Sequence, residues 1–282
     1  MSLDFKIYFL MSRGFLMRWD PHQYERFAAE RGRPFRDLLA RIDCPSPRRV
    51  VDLGCGPGNL TGLLAARWPS ALIEGVDSSP EMIARAASVE GVTFRVEDVA
   101  AWIMPPDTDV IISNATLQWV PRHQDLVRAW ATSLPPGGWL AFQVPGNFDS
   151  PSHTLMRSLA ASPRWAPLVG DALRHHDAVD SPENYARLLL HAKLTVEVWA
   201  TTYLHVLTGR DPVLEWMRGT GLRPVLAALA DRPAPGAGET RPAAEVFEAE
   251  YGAQLRAAYP ATAHGTLFPF HRIFAVAHRP LG

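Results

Sequence analysis

The residues with the clearest chemical potential lie in one stretch, Val50-Val51-Asp52-Leu53-Gly54-Cys55-Gly56-Pro57-Gly58-Asn59. A short apolar run enters a glycine-rich turn, and glycine lets a ligand approach the backbone closely. A helix behind such a turn presents amide donors and the positive end of its dipole. Acids end the next two apolar runs. Asp77 is placed to accept both hydroxyls of a ribose, and Asp98 of the Glu97-Asp98 pair to accept from an adenine amino group. The set points to a nucleoside-bearing ligand. Spacing narrows the choice. A dinucleotide fingerprint reads G-x-G-x-x-G, whereas this turn reads G-x-G-x-G with Asn59 in the place of the third fingerprint glycine. That spacing argues against a nucleotide-dependent oxidoreductase. Cys55 reads as a small residue in a tight turn, not as a nucleophile.

Alternating elements position these residues. Strands are predicted at 50–53, 71–76, 92–96, 109–113 and 139–144, separated by helical stretches at 59–68, from Pro80 and at 126–134. Ser78-Ser79-Pro80-Glu81 reads as a helix N-cap followed by proline at the first turn. Strands that alternate with helices imply parallel crossovers in a sheet covered on both faces. Beyond residue 144 the regularity breaks. A sixth strand is predicted at 194–206, with Val196, Val198, Ala200, Thr202 and Leu204 on one face, and a seventh at 266–278. Helices at 211–230 and 242–258 flank the Pro/Gly-rich segment 231–242. The long connections 145–193 and 207–265 are expected to form one cap over the carboxyl edge of the sheet.

Composition excludes several classes. The chain has 282 residues and carries 28 Lys+Arg against 29 Asp+Glu, a formal charge of −1. That balance argues against a nucleic-acid partner gripped by a broad basic face. Two cysteines, Cys44 and Cys55, are too few for a disulfide framework or a cysteine-rich zinc site. His175-His176-Asp177 lacks spaced companions, so no metal is expected. No apolar run reaches membrane-span length, and a cytoplasmic location is expected. Residues 1–16 read as a leader or tag without function, with Met17 as the natural start.

The motifs resemble, as a set, those of the class I S-adenosylmethionine-dependent methyltransferases. In that resemblance VVDLGCGPG is the first motif, Asp77 ends the second, Asp98 belongs to the third, and Ser113-Asn114-Ala115 matches the fourth. It implies an α/β, Rossmann-like seven-stranded sheet with the last strand antiparallel, plus helical cap insertions. It divides the chain into an N-terminal helical segment over the cofactor at 17–47, a cofactor-binding core at 48–144, and the last two strands with the cap at 145–282. It implies S-adenosylmethionine held by Trp19, Arg33, Asp52, Gly54, Gly56, Asp77, Ser78, Asp98 and Asn114, with Trp19 and Tyr24 packing on it and Arg33 meeting its carboxylate.

A closer resemblance runs through Trp19-Asp20-Pro21-His22-Gln23-Tyr24, Glu30-Arg31-Gly32-Arg33-Pro34-Phe35, NLTGLLAARWP, GVDSSPEMI, SNATLQWVP and EWMRGTGLRPVL. These are similar to a bacterial family of carboxyl methyltransferases whose acceptor is trans-aconitate. The alternative is O- or N-methylation of another small molecule. A carboxylate acceptor is already ionised at neutral pH, so no general base is expected. Positioning and desolvation would drive the reaction. A tricarboxylate needs focused cations, and arginine's planar fork suits it best. Arg218 and Arg223 are favoured, flanking Gly219-Thr220-Gly221-Leu222, where a helix break would add backbone donors. Arg272, Tyr203, Asn147 and His153 follow, with Trp119 as a wall.

Overall fold

The computed structural model describes residues 28–173, 178–236 and 239–281. The leader, Trp19, Tyr24, Phe27 and His175-His176-Asp177 lie outside them. The central strand β1 (Arg49–Leu53) is buried from Val50 onward and carries one buried acid, Asp52. It pairs in parallel with β2 (Leu72–Asp77) on one side and β4 (Thr108–Asn114) on the other. From β2 the chain moves outward to β3 (Val92–Val96), then returns across β1 to β4, β5 (Trp139–Pro145) and the long strands β6 (Thr195–Leu207) and β8 (Gly265–His278). The order is β3-β2-β1-β4-β5-β8-β6, and a two-residue strand, β7 (Ala261–Thr262), pairs with the start of β8. β8 runs antiparallel between β5 and β6, as the seven-strand expectation required. The order reverses between β1 and β4, and such a switch leaves a crevice at the strands' carboxyl ends.

Two apolar layers cover the sheet. Helix α1 (Ala28–Leu39) lays Phe35 and Leu38 on Val50, Val110, Ile112, Ala141 and Phe274. The opposite face carries Val51, Leu53, Ile111, Phe142 and Ile273 in one cluster with Val127 and Trp130 of α4 (His123–Ser133) and Tyr185 and Leu189 of α7 (Pro182–His191). Between them in sequence stand α2 (Gly62–Arg67), α3 (Pro80–Ala86), α5 (Pro151–Ala160) and α6 (Ala166–Val169). Ser79 caps α3, accepting from the Met82 amide at 3.2 Å.

A separate core forms the cap. Helices α5, α6, α8 (Pro212–Arg218), α9 (Arg223–Leu229) and α10 (Ala243–Ala258) enclose Trp165, Trp216, Phe247, Tyr251 and Phe268. Two expectations need correction here. Residues 182–191 belong to the layer beneath the sheet, because α7 is the crossover helix before β6. The inward face of β6 also changes along its length. Val196 and Val198 pack against the α4/α7 layer. Farther on Tyr203, His205 and Leu207 are buried, while Leu204 is 57% exposed. The physical reason is that β6 and β8 project past the sheet, and the cap covers the other side of that projection.

Candidate functional site

The glycine turn gives space rather than charge. Gly54 has φ +81°, and a Cβ there would come within 2.0 Å of the Thr116 hydroxyl oxygen. Gly56, at φ +55°, faces open space: an added Cβ would meet no described atom within 4 Å. The expected free amides are largely absent. The Gly54 and Cys55 amides donate to the Val76 carbonyl, the Gly58 amide to Cys55, and the Gly56 amide to Asp77 Oδ2 at 2.9 Å. Helix α2 starts only at Gly62, whose amide donates to Gly58. Such a turn is poorly equipped for pyrophosphate, which is held through free amides.

Acceptors surround the turn. Asp52 is 2% exposed and accepts from the Thr61 hydroxyl at 2.6 Å. Burial pushes its carboxyl up to about 7, the Thr61 bond opposes this, and the charge of Asp77 adds to it. Asp77 accepts from the Gly56 and Ser79 amides, both at 2.9 Å, and burial raises its carboxyl despite these bonds. Asp98, exposed just past β3, accepts from the Ala100 amide. Ser78 is exposed beside Asp77. Asn114 ends β4, and its buried Oδ1 has no hydrogen-bond partner among the described residues. Carboxylates and an amide oxygen, with open space at Gly56, suit a cationic nucleoside rich in N–H and O–H donors.

A second polar row continues across the same sheet face, under α1. Gln143 on β5 is fully buried and pairs in register with Asn114. Its Oε1 accepts from Arg272 Nη1 at 3.0 Å. Its buried Nε2 has no partner among the described residues. Arg272, 4% exposed, lies with its guanidinium carbon 4.7 Å from the Phe270 ring centre. Tyr203 donates its hydroxyl to Asp37 of α1, and burial, then that bond, pushes the phenol up. The Arg33 guanidinium stands 5.9 Å from the Tyr203 ring centre, which brings it to the β6 side of the crevice. His205 stacks on Trp216 at 4.9 Å, and its buried Nε2 has no partner among the described residues. Burial, then the charges of Arg272 and Arg33, hold its pKa down to about 4.

Sequence reasoning missed Gln143 and His205. The available signal was a polar residue near the carboxyl end of an otherwise apolar strand, WLAFQVP, and a histidine on the alternating run of β6.

Other anticipated acceptor residues are committed elsewhere. Arg218 spends its guanidinium on Glu248, at 2.6 and 3.2 Å, and on Glu215. The break after α8 keeps its donors: the Thr220 and Leu222 amides bond to Met217, and the Arg223 amide to Thr220. Arg223 sits half-buried at the first turn of α9. Asn147 closes a two-bond pair with the His271 backbone, at 2.8 and 2.6 Å, and so ties the loop after β5 to β8. His153 is buried on α5, its Nδ1 3.1 Å from the Ser152 hydroxyl. Trp119 lies half-buried in the 3₁₀ turn after β4.

A sheet of this order, with an acid-rimmed glycine turn at its switch point, defines a class I methyltransferase. Residues 24–197 match the family model described as a methyltransferase domain. The fold is shared with the YcgJ protein of Bacillus subtilis (TM-score 0.54, 15% identity, covering 89% of this chain and 99% of that one). It is shared also with Haemonchus contortus phosphoethanolamine N-methyltransferase 2 (TM-score 0.52, 17% identity, covering 92% and 56%). The trans-aconitate 2-methyltransferase of Streptomyces avermitilis is 55% identical over 93% of this chain and 97% of its own length. Its namesakes in Streptomyces coelicolor (55%; 94% of this chain and 88% of its own) and Rhodococcus jostii (52%; 92% and 98%) agree. The chain belongs to the trans-aconitate 2-methyltransferase family.

Proposed function

We propose that this enzyme esterifies a carboxylate of trans-aconitate with the methyl group of S-adenosylmethionine. The observation that carries the reading is the buried Arg272–Gln143 pair, one strand from Asn114 on the sheet face under α1. A buried guanidinium beside an unfilled amide donor is a carboxylate's environment.

The residues around the turn fit the cofactor. Asp77 and Ser78 would face the ribose and Asp98 the adenine. Asp52 and Asn114 would face the methionine end, with Gly54 and Gly56 giving it room. When bound, S-adenosylmethionine supplies an electrophilic methyl on a sulfonium, so that a carboxylate oxygen takes the methyl while the bonding pair returns to sulfur. No proton moves, so this chain need supply no base. His205 supports that view, because an imidazole held down to about 4 is a weak base at neutral pH. What the chain supplies is placement and dryness. Arg272 and Arg33 gather the anion, while Trp119 and the cap helices keep water from the reacting oxygen. No described helix is long and apolar enough to cross a membrane. Both cysteines are unpaired, which supports the cytoplasm as the working compartment.

The test is mass spectrometry of products after incubation with S-adenosylmethionine and a panel holding trans-aconitate, fumarate, crotonate, a phenol and an amine. The expected product is a monomethyl ester of trans-aconitate. Methylation of the phenol or amine alone would replace this reading.

A further inference from the structure

The polar row along the sheet edge has an order, and that order distinguishes between donors. Passing from the glycine turn, it runs Asn114 on β4, Gln143 on β5, Arg272 on β8 and His205 on β6. Asn114 and Gln143 are register partners, and each holds one buried atom without a partner among the described residues, of opposite kind: an acceptor Oδ1 and a donor Nε2. A buried, unsatisfied polar atom is costly, and native proteins retain few of them. Gln143 cannot turn its amide to escape. Its Oε1 is taken by Arg272 Nη1, so Nε2 is held away from the arginine.

An acceptor site wants an N–H from its ligand and a donor site wants an oxygen. The boundary between the two ligands therefore falls between Asn114 and Gln143. The group nearest that boundary on the acceptor side is the one that reacts. Charge agrees with the order. Methyl transfer removes the negative charge of the reacting carboxylate. A full cation bound to it would stabilise the reactant more than the transition state. A neutral amide positions the carboxylate with less of that penalty, while a cation farther along can hold a carboxylate that keeps its charge.

We propose that Gln143 receives the reacting carboxylate through its Nε2 donor, and that Arg272 anchors a second, non-reacting carboxylate of the same acid. This rests on the reading of the acceptor as a polycarboxylate. The arrangement makes Gln143 a determinant of reaction and Arg272 a determinant of preference for polyacids over monoacids.

The decisive variant is Gln143→Glu. It keeps an oxygen for Arg272 and so preserves any purely structural role. It replaces the donor with a second negative charge. The expected result is a fall in kcat/KM of about 100-fold or more for trans-aconitate and for crotonate alike, with S-adenosylhomocysteine affinity within about threefold of the wild type. The calorimetric affinity for trans-aconitate, measured with S-adenosylhomocysteine present, should fall in parallel. Arg272→Gln should raise the KM for trans-aconitate by a clearly larger factor than that for crotonate and so narrow the advantage of the polyacid; crotonate also loses some rate, because Arg272 orients the Gln143 amide. Gln143→Met, close in volume and without a donor, is the second variant if the first lowers the melting temperature sharply. A wild-type enzyme that ignores trans-aconitate would remove the underlying reading. A wild type that uses it, with Gln143→Glu at full kcat/KM, would overturn the role of Gln143. Equal losses on crotonate and trans-aconitate in Arg272→Gln would overturn the anchor.

Discussion

Asp52 shows how one residue links binding to stability. Its carboxyl is held protonated up to about 7 by burial, whereas in an unfolded chain it titrates near 3.9. Between those values the folded state binds the proton and the unfolded state does not, so stability falls as pH rises. The cost is absent near pH 4 and complete above 7. Asp52→Asn should therefore stabilise the unliganded protein on the order of 1–3 kcal/mol at pH 8 and hardly at all at pH 4, a contrast read by thermal unfolding. A cationic ligand favours the ionised carboxylate, so wild-type affinity for S-adenosylmethionine should weaken from pH 8 to pH 6. The asparagine variant should bind weakly at both values. His205 has the opposite sign. Its depressed pKa contributes stability above about 6.5 that is lost as pH falls toward 4. Asp77, with two backbone amides fixing its carboxylate, is the residue most exposed to a direct test. Asp77→Ala should weaken S-adenosylmethionine binding about 100-fold in calorimetry, and unchanged affinity would remove the ribose assignment.

At the scale of elements, the sequence was legible where a period repeats and poorly legible where tertiary packing decides. The strands from Arg49 to Pro145 fell within a residue or two of expectation, because VVDL, DVIIS and WLAFQV are short apolar runs between turn residues. The acids at strand ends followed from the same pattern. The cap was harder. Arg218 resembles an anion ligand in sequence, but Glu215 one turn away and Glu248 on α10 claim it, and the second partner is invisible to local spacing. Likewise nothing local says that α7 belongs under the sheet. These contacts change what Arg218 is expected to do. It bridges α8 to α10, so Arg218→Ala should lower the melting temperature, with a loss of about 1–3 kcal/mol, and shift the acceptor KM less than Arg272→Gln does. An acceptor KM hit harder by Arg218→Ala would return the anion site to the α8–α9 turn. Gln143 went unread because its significance lies in an unfilled buried donor, which is set by the strands and the helix that meet around it and not by local sequence.

The whole molecule carries a formal charge of −1, so attraction for a polyanion cannot come from its overall field. In the proposed function it comes from Arg272 in the interior and Arg33 on α1, both of which stand at the β6–β8 side of the sheet. Attraction focused on so few groups remains partly open to screening at Arg33, which is exposed. The KM for trans-aconitate should therefore rise several-fold between about 20 mM and about 0.5 M salt, where the Debye length shrinks from about 20 Å to a few ångström, and the KM for crotonate should rise less. The division of labour is thus spatial. The acceptors Asp52, Asp77 and Asn114 stand around β1, β2 and β4, and the donors Gln143 and Arg272 stand toward β5 and β8, where the Asp37 carboxylate is taken by Tyr203. The most direct measurement of this account is a crystal structure of the enzyme with S-adenosylhomocysteine and trans-aconitate. One carboxylate should lie within hydrogen-bonding distance of Gln143 Nε2 and another on the Arg272 guanidinium. An acid seated instead against Arg218 and Arg223, with Gln143 Nε2 still unfilled, would contradict it.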